Sequence, residues 1–191
     1  VGVDTSTASY SYDAAGDMPG RPGEPLTYDA EGRLATTTES GETVSNIYDA
    51  SGNLLLQTDS VSGSTLFVGD TELHESVGST VATATRTYCV GSIPVAERTT
   101  DLGVSGSSLT WAAADAQDTI DLEVAPSTGA LSVRYYDPFG NQLGSSPSWA
   151  GDRGFLDAPP SALSDLVQLG ARAYDPTLGR FLSVDAVLDA L

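Results

Sequence analysis

Residues Leu166–Ala186 read LVQLGARAYDPTLGRFLSVDA, and the fold is decided there. Tyr174-Asp175-Pro176-Thr177-Leu178-Gly179-Arg180-Phe181 sets aromatic and aliphatic residues on both sides of an Asp-Pro/Gly turn. Aspartate accepts hydrogen bonds from amides two residues on, proline presets φ, and glycine takes the left-handed position that other residues resist. That is hairpin chemistry. A Tyr-Asp-x-x-Gly device of the same kind recurs at Tyr12/Asp13/Gly16, Tyr28/Asp29/Gly32, Tyr48/Asp49/Gly52 and Tyr136/Asp137/Gly140. The chain therefore reads as a repeat array whose last unit, Tyr174/Asp175/Gly179 with Arg180, is specialised.

Outward from this block the grammar stays β. Pro19-Gly20-Arg21-Pro22-Gly23 is a breaker run that should stop a strand. Two units follow within Leu26–Thr58, with Glu39-Ser40-Gly41-Glu42 as the return turn between β-branched runs. From Ser60 to Thr100 the tyrosines lapse, but short apolar runs still alternate with Gly-Asp and Gly-Ser turns, implying strands of about five residues. Pro160–Leu169 alone has the pattern of a helical turn. The expectation is an all-β chain of antiparallel hairpins with at most one short helix near 160–169.

Composition narrows the partners. Eight basic residues, all arginine, stand against twenty-six acids, a net charge of −18. Such a surface repels nucleic-acid phosphates and anionic membranes, so neither nucleic acid binding nor membrane insertion is expected. No apolar run approaches the ~20 residues of a membrane span. Cys89 and His74 are the sole residues of their types, which excludes an intrachain disulfide and a Cys/His zinc cluster. No metal and no cofactor is expected. Cys89, in RTYCVG, reads as a small core residue, and His74 has no serine elbow near it in sequence.

Other groups have two readings each. Asp115, Asp118, Asp121 and Glu123 could offer oxygens to calcium, but lack an EF-hand register and read more simply as turns. The repeat tyrosines could stack sugars, but their equivalent positions favour packing between successive hairpins. Arg134, Arg172 and Arg180 read as ion-pair partners between hairpins.

YDAEGRL, YDASGNLLL, RYYDPFGN, GDRGF and LGARAYDPTLGRFLSVDA, in this order, resemble the C-terminal part of bacterial Rhs/YD-repeat proteins, a group related to toxin-complex C subunits and teneurin shells. The resemblance covers nearly the whole chain. It implies hairpins spiralling into a β-shell, with residues 1–130 as the repeat array and 131–191 as the Rhs-repeat-associated core, a terminal plug. It also implies a secreted or cell-surface protein whose partners are the remainder of the shell and a C-terminal toxin or effector. A ~100-residue cargo has a radius of gyration near 13 Å, and a wall around it needs roughly thirty strands per turn at ~4.8 Å each. This chain offers roughly twenty. It is expected to be an end segment, a shortened relative, or a protomer whose edges are completed by other copies.

Self-cleaving relatives use paired aspartates, one in an Asp-x-x-Thr-Gly-Leu element and one in an Asp-Pro after Gly-Arg-Phe. Two carboxylates sharing a proton can act as base and acid around one peptide bond. The second maps onto Asp185. At the first stand Ser161, Ser164 and Asp165, and Ala186 replaces the proline, while neither Leu188 nor Asp189 restores the glycine that follows it. Asp165 or Asp157 is the candidate substitute partner for Asp185. The end at Leu191 falls about where a family cut would fall. The principal expectation is a non-enzymatic shell segment, with an aspartyl self-cleaving module and an extracellular β-assembly or adhesion protein as alternatives.

Overall fold

The computed structural model describes residues 9–145, 147–159, 163 and 165–185. Among these the chain is all-β. Twelve strands follow one another as an antiparallel meander: β1 (Gly20–Arg21), β2 (Glu24–Tyr28), β3 (Leu34–Glu39), β4 (Glu42–Tyr48), β5 (Leu54–Asp59), β6 (Gly63–Val68), β7 (Thr71–Ser76), β8 (Thr83–Val90), β9 (Ile93–Asp101), β10 (Ser108–Ala114), β11 (Ile120–Val124) and β12 (Leu131–Val133). A two-stranded ribbon follows, β13 (Tyr135–Tyr136) with β14 (Gln142–Leu143). The last sheet has three strands, β15 (Val167–Leu169), β16 (Arg172–Asp175) and β17 (Arg180–Phe181).

Two local expectations change. The run Pro19–Gly23 does not end a strand but makes a hairpin, because Gly20 pairs with Pro25 and Arg21 with Glu24 around Pro22-Gly23. A single 3-10 turn is described at Phe155–Asp157, and the end of the 160–169 stretch, Val167–Leu169, is a strand paired with β16. Residues 160–162, 164 and 186–191 lie outside the described residues, and with them Ser161, Ser164, Ala186, Leu188, Asp189 and the end at Leu191.

The sheet's two faces are inverted relative to a simple amphipathic sheet. The face toward the later chain carries Thr37, Gln57, Thr65, Glu72, Thr85, Thr87, Glu97 and Glu123, all buried. The opposite, bare face carries an apolar row in register, Ile47–Leu56–Leu66–Leu73–Ala84. Polar groups can be buried when they are hydrogen-bonded, and the chain supplies partners by laying a strap, residues 149–158, across this face. Ala150 N donates to Glu123 Oε1 (3.1 Å), Asp152 N to Glu72 Oε2 (3.2 Å) and Leu156 N to Thr119 Oγ1 (3.0 Å).

Twelve strands laid flat would span roughly 50 Å, yet one small block touches both ends. Arg180 Nη1 donates to Tyr12 Oη (2.6 Å), before β1, and Tyr174 Oη donates to the Phe139 carbonyl (2.9 Å), beyond β12. The sheet must curl around the strap and the terminal block. Apolar packing fixes the closure at the first end, where Met18, Leu26, Leu34, Leu166, Ala173 and Leu182 form one buried cluster. The expected shortfall of less than one winding is met by a tighter curve, and the space inside is taken by the chain itself.

Candidate functional site

The repeat turns are one geometry used repeatedly. In the loop after β2, Asp29 Oδ1 accepts from Glu31 N (3.0 Å) and Arg33 N (2.9 Å), Asp29 N donates to Arg33 O (2.9 Å), and Gly32 N donates to Asp29 O (3.1 Å). Asp13, Asp49 and Asp137 make the same set. The turn expected at Asp115 is a further copy of this geometry. Asp115 Oδ1 accepts from Gln117 N (2.8 Å) and Thr119 N (3.0 Å), with Asp118 at φ 62° in the glycine position. Aspartate tolerates the left-handed region, so Asp-x-x-Asp-Thr was the available signal. The group Asp115/Asp118/Asp121/Glu123 is thus divided between a turn and the covered face, where Glu123 binds the strap.

The last unit departs from the repeat. Asp175 faces Arg180 across a longer loop, caps Leu178 N with Oδ1 (3.0 Å), and turns Oδ2 to Arg21 Nη1 (2.9 Å) with its side chain only 2% exposed. Arg21 also holds Glu24. The buried ion pair joins the first hairpin to the terminal block.

Glycines and tyrosines of the turns form the seal. Gly16 and Gly52 lie against Val184 and Ala171 of the terminal block. Tyr28 Oη donates to Met18 O (2.7 Å), and Tyr48 Oη donates to Leu34 O (2.8 Å). Burial pushes both phenols well above their ordinary range. Tyr136, Phe155, Tyr174 and Phe181 pack in sequence, tilted, stacked and edge-on, at centroid distances of 6.1, 6.3 and 5.6 Å. Gly140, at φ 96°, leaves room for this stack, since a Cβ there would stand 2.5 Å from the Phe155 ring. Gly140→Ala is expected to cost about 2–4 kcal/mol, combining left-handed strain with overpacking. Gly41→Ala, at φ 88° with nothing within 4 Å, should cost only about 1–2 kcal/mol. Urea unfolding midpoints of the two variants check the difference.

Beneath the strap lies a cluster of buried charge. Glu97, 1% exposed, has one carboxylate oxygen with no hydrogen-bond partner, and Gly151 passes so close that a Cβ would stand 2.6 Å from its Oε1. Burial first, then the neighbouring Glu123 carboxylate, push Glu97 up to about 8. Burial also raises Glu72, although Arg153 holds it at 3.0 Å. Arg134 lies 3.7 Å over the Trp149 ring and donates to Arg153 O (2.6 Å), and burial lowers its pKa.

The sequence candidates for cleavage chemistry are each held by an arginine or a cleft. Asp185 is paired with Arg172 (3.2 Å) and has a side chain 56% exposed. Asp157 is paired with Arg153 (3.2 Å) and raised by burial. Asp165, at φ 37°, lines clefts with Arg21 and with Arg134. Asp17 was not anticipated. It is 5% exposed, has an unpartnered Oδ1, lies against the Val184 amide, and is raised first by burial and then by Asp13.

Three assignments are corrected. Cys89 follows a bulge in β8 and is exposed, so it fills no core. Arg134 and Arg180 make no ion pair among the described residues, serving instead the strap and Tyr12. His74 sits between Thr65 Oγ1 (2.9 Å) and Ser76 Oγ (3.3 Å) in the strand ladder. Among the described residues no acid, histidine or cysteine group is arranged to hold a metal, and no helix is long and apolar enough to cross a membrane.

No family model and no curated protein sequence matches the chain. Solved structures do. The crystal structure of TcdB2-TccC3-TEV aligns with a TM-score of 0.75 at 17% identity, over 90% of this chain and 9% of that one. TcdB2-TccC3-Cdc42 aligns equally, at TM-score 0.75 and 17% identity, over 91% and 9%. The Photorhabdus luminescens Tc holotoxin pore, with a TccC3 aspartate-to-alanine mutation, gives 0.74 and 17%, over 90% and 9%. The chain spans about a tenth of those proteins, and over nearly all of its own length it shares their all-β, antiparallel-hairpin fold.

Proposed function

We propose that this chain is the closing segment of an Rhs/YD-repeat β-shell: a structural wall, residues 1–130, sealed by a terminal core, residues 131–191. The observation that carries this reading is the closure itself. One terminal block locks to both ends of a curled meander, through Arg21–Asp175 and Tyr12–Arg180 at one end and Tyr174–Phe139 at the other. The fold likeness to the TccC3-bearing complexes supports it.

Its partners on this reading are the remainder of the shell and a C-terminal toxin or effector, in a secreted or surface-delivered protein. The inner space here is filled by residues 149–158, so a cargo of ~13 Å radius of gyration would be enclosed by the rest of the wall. The wall's acidity, a net charge of −18, suits a basic cargo by complementarity. The test is limited proteolysis of the protein expressed from its native reading frame. Sequence following the terminal block should be protected while the wall stays intact and become cleavable in Asp175→Ala. Equal cleavage in both would contradict enclosure.

A second reading, aspartyl self-processing, is favoured by one observation: the buried Asp17, its carboxyl raised by burial and by Asp13, lies against the Val184 amide, one residue before Asp185. Intact mass of the native-frame product, beside Asp185→Ala and Asp17→Asn, tests it. Cleavage lost in both variants supports it, and the same terminus in all three excludes it.

A further inference from the structure

Arg134 differs from every other arginine of the chain. Arg21, Arg33, Arg153 and Arg172 are paired with carboxylates, and Arg86, Arg98 and Arg180 lie exposed, where water solvates them. Arg134 is 8% exposed and has no ion-pair partner among the described residues, although the chain holds twenty-six acids. Buried charges are ordinarily paired. The Trp149 ring lies 3.7 Å from its guanidinium and Nη2 donates to Arg153 O, but Nε is buried without a partner. Glu123, Glu97 and Asp152 act on it through space without bonding to it.

The guanidinium lies on the wall of a cleft of about 230 Å³ between the strap, the β13–β14 ribbon and β15. Gly154 opens it. A Cβ there would stand 2.7 Å from Tyr136 Oη and 3.8 Å from Arg134 Nη1, so the missing side chain leaves room for an acceptor beside both donors. Phe155, Ala158 and Val167 give the cleft an apolar wall, and the exposed Asp152 and Asp165 also line it. Its volume is below the ~300–1,000 Å³ of pockets for drug-sized ligands, which calls for a small occupant.

We propose that this cleft binds a free α-amino acid with an aliphatic side chain. The ligand's carboxylate accepts from Arg134 and Tyr136, its ammonium donates to the Asp152 and Asp165 carboxylates, and its side chain lies on the apolar wall. Charge decides for a zwitterion. A simple anion would meet two carboxylates and the field of a chain with net charge −18, whereas a simple cation would leave Arg134 without its counter-charge. An α-amino acid carries both charges on one carbon and has none in sum. Guanidinium–carboxylate bonds are of the strong, charge-assisted kind, and here one forms on a donor already stripped of water.

The test uses the full chain with L-alanine and L-leucine as probes, followed by calorimetry and by Trp149 fluorescence in a Trp111→Phe background. The N-acetyl form of each probe, which lacks the ammonium, and the amide form, which lacks the carboxylate, are the comparisons. Expected are saturable binding of at least one of the two amino acids, one per chain, and a loss of at least about tenfold for either of its blocked forms. Asp152→Asn/Asp165→Asn and Arg134→Gln should each lose a similar factor. Arg134 also holds the strap, so the exposed aspartate pair, whose unfolding midpoint should be little changed, keeps the test independent of folding. No binding of either amino acid, equal binding of a blocked form, or binding unaffected by the aspartate substitutions would each overturn the proposal.

Discussion

Glu97→Gln is expected to stabilise the folded chain at pH 8.5 by several kcal/mol, while changing its stability little at pH 4.5. The cause is the position of Glu97 under the strap, beside Glu123 and Glu72 and against Gly151. Its folded pKa is about 8, against about 4.3 in an unfolded chain. Between these values the folded chain holds a proton that the unfolded chain has released. Stability therefore falls as pH rises through this window, by at most about 1.4 kcal/mol per unit, and levels off above pH 8. Below pH 4.3 both states are protonated and the term vanishes. Glutamine keeps the shape and removes the titration. The decisive quantity is the parent-minus-variant difference in urea-unfolding free energy against pH, because general repulsion within the −18 chain is common to both. A flat difference would mean that Glu97 is not buried as described.

Asp175→Ala should cost about 2–4 kcal/mol. The substitution strips Arg21 of its buried carboxylate at 2.9 Å and removes the acceptor of Leu178 N. Arg21 keeps Glu24, so the loss is that of two buried charge-assisted hydrogen bonds rather than of an orphaned charge, whereas exposed pairs contribute under about 1 kcal/mol. Arg172→Ala, which removes the pair with the half-exposed Asp185, is the comparison and should cost less. Equal costs would place Asp175 at the surface and undo the closure.

These two effects come from residues whose roles were differently legible. The Asp29 and Asp49 turns were readable because their chemistry closes within five residues. Asp115 was legible as a turn but not as a copy of the repeat, because neither tyrosine nor glycine accompanies it. The pairing of Arg21 with Asp175 spans 154 positions and leaves no local trace. Glu97 was hidden for another reason. Alternation in IPVAERTTD assigns residues to two faces but does not say which face is covered, and here the polar one is. Cys89 was misplaced by the same ambiguity, compounded by a bulge that shifts register at Tyr88/Cys89. Of the cleavage candidates, Asp185 was found by its place in the block. Asp17 was not, because only the fold brings it to Val184.

The measurement that bears most directly on the account is the distance between spin labels at Ser11→Cys and Gln142→Cys, in a Cys89→Ser background. Both label sites are exposed, and they lie beyond opposite ends of the twelve-stranded sheet. A curled sheet closed by the terminal block predicts a narrow distribution below about 30 Å, because Tyr12 and Phe139 both touch Gly179–Arg180. A distribution centred near the ~50 Å of a flat sheet would contradict the closure and with it the proposed function.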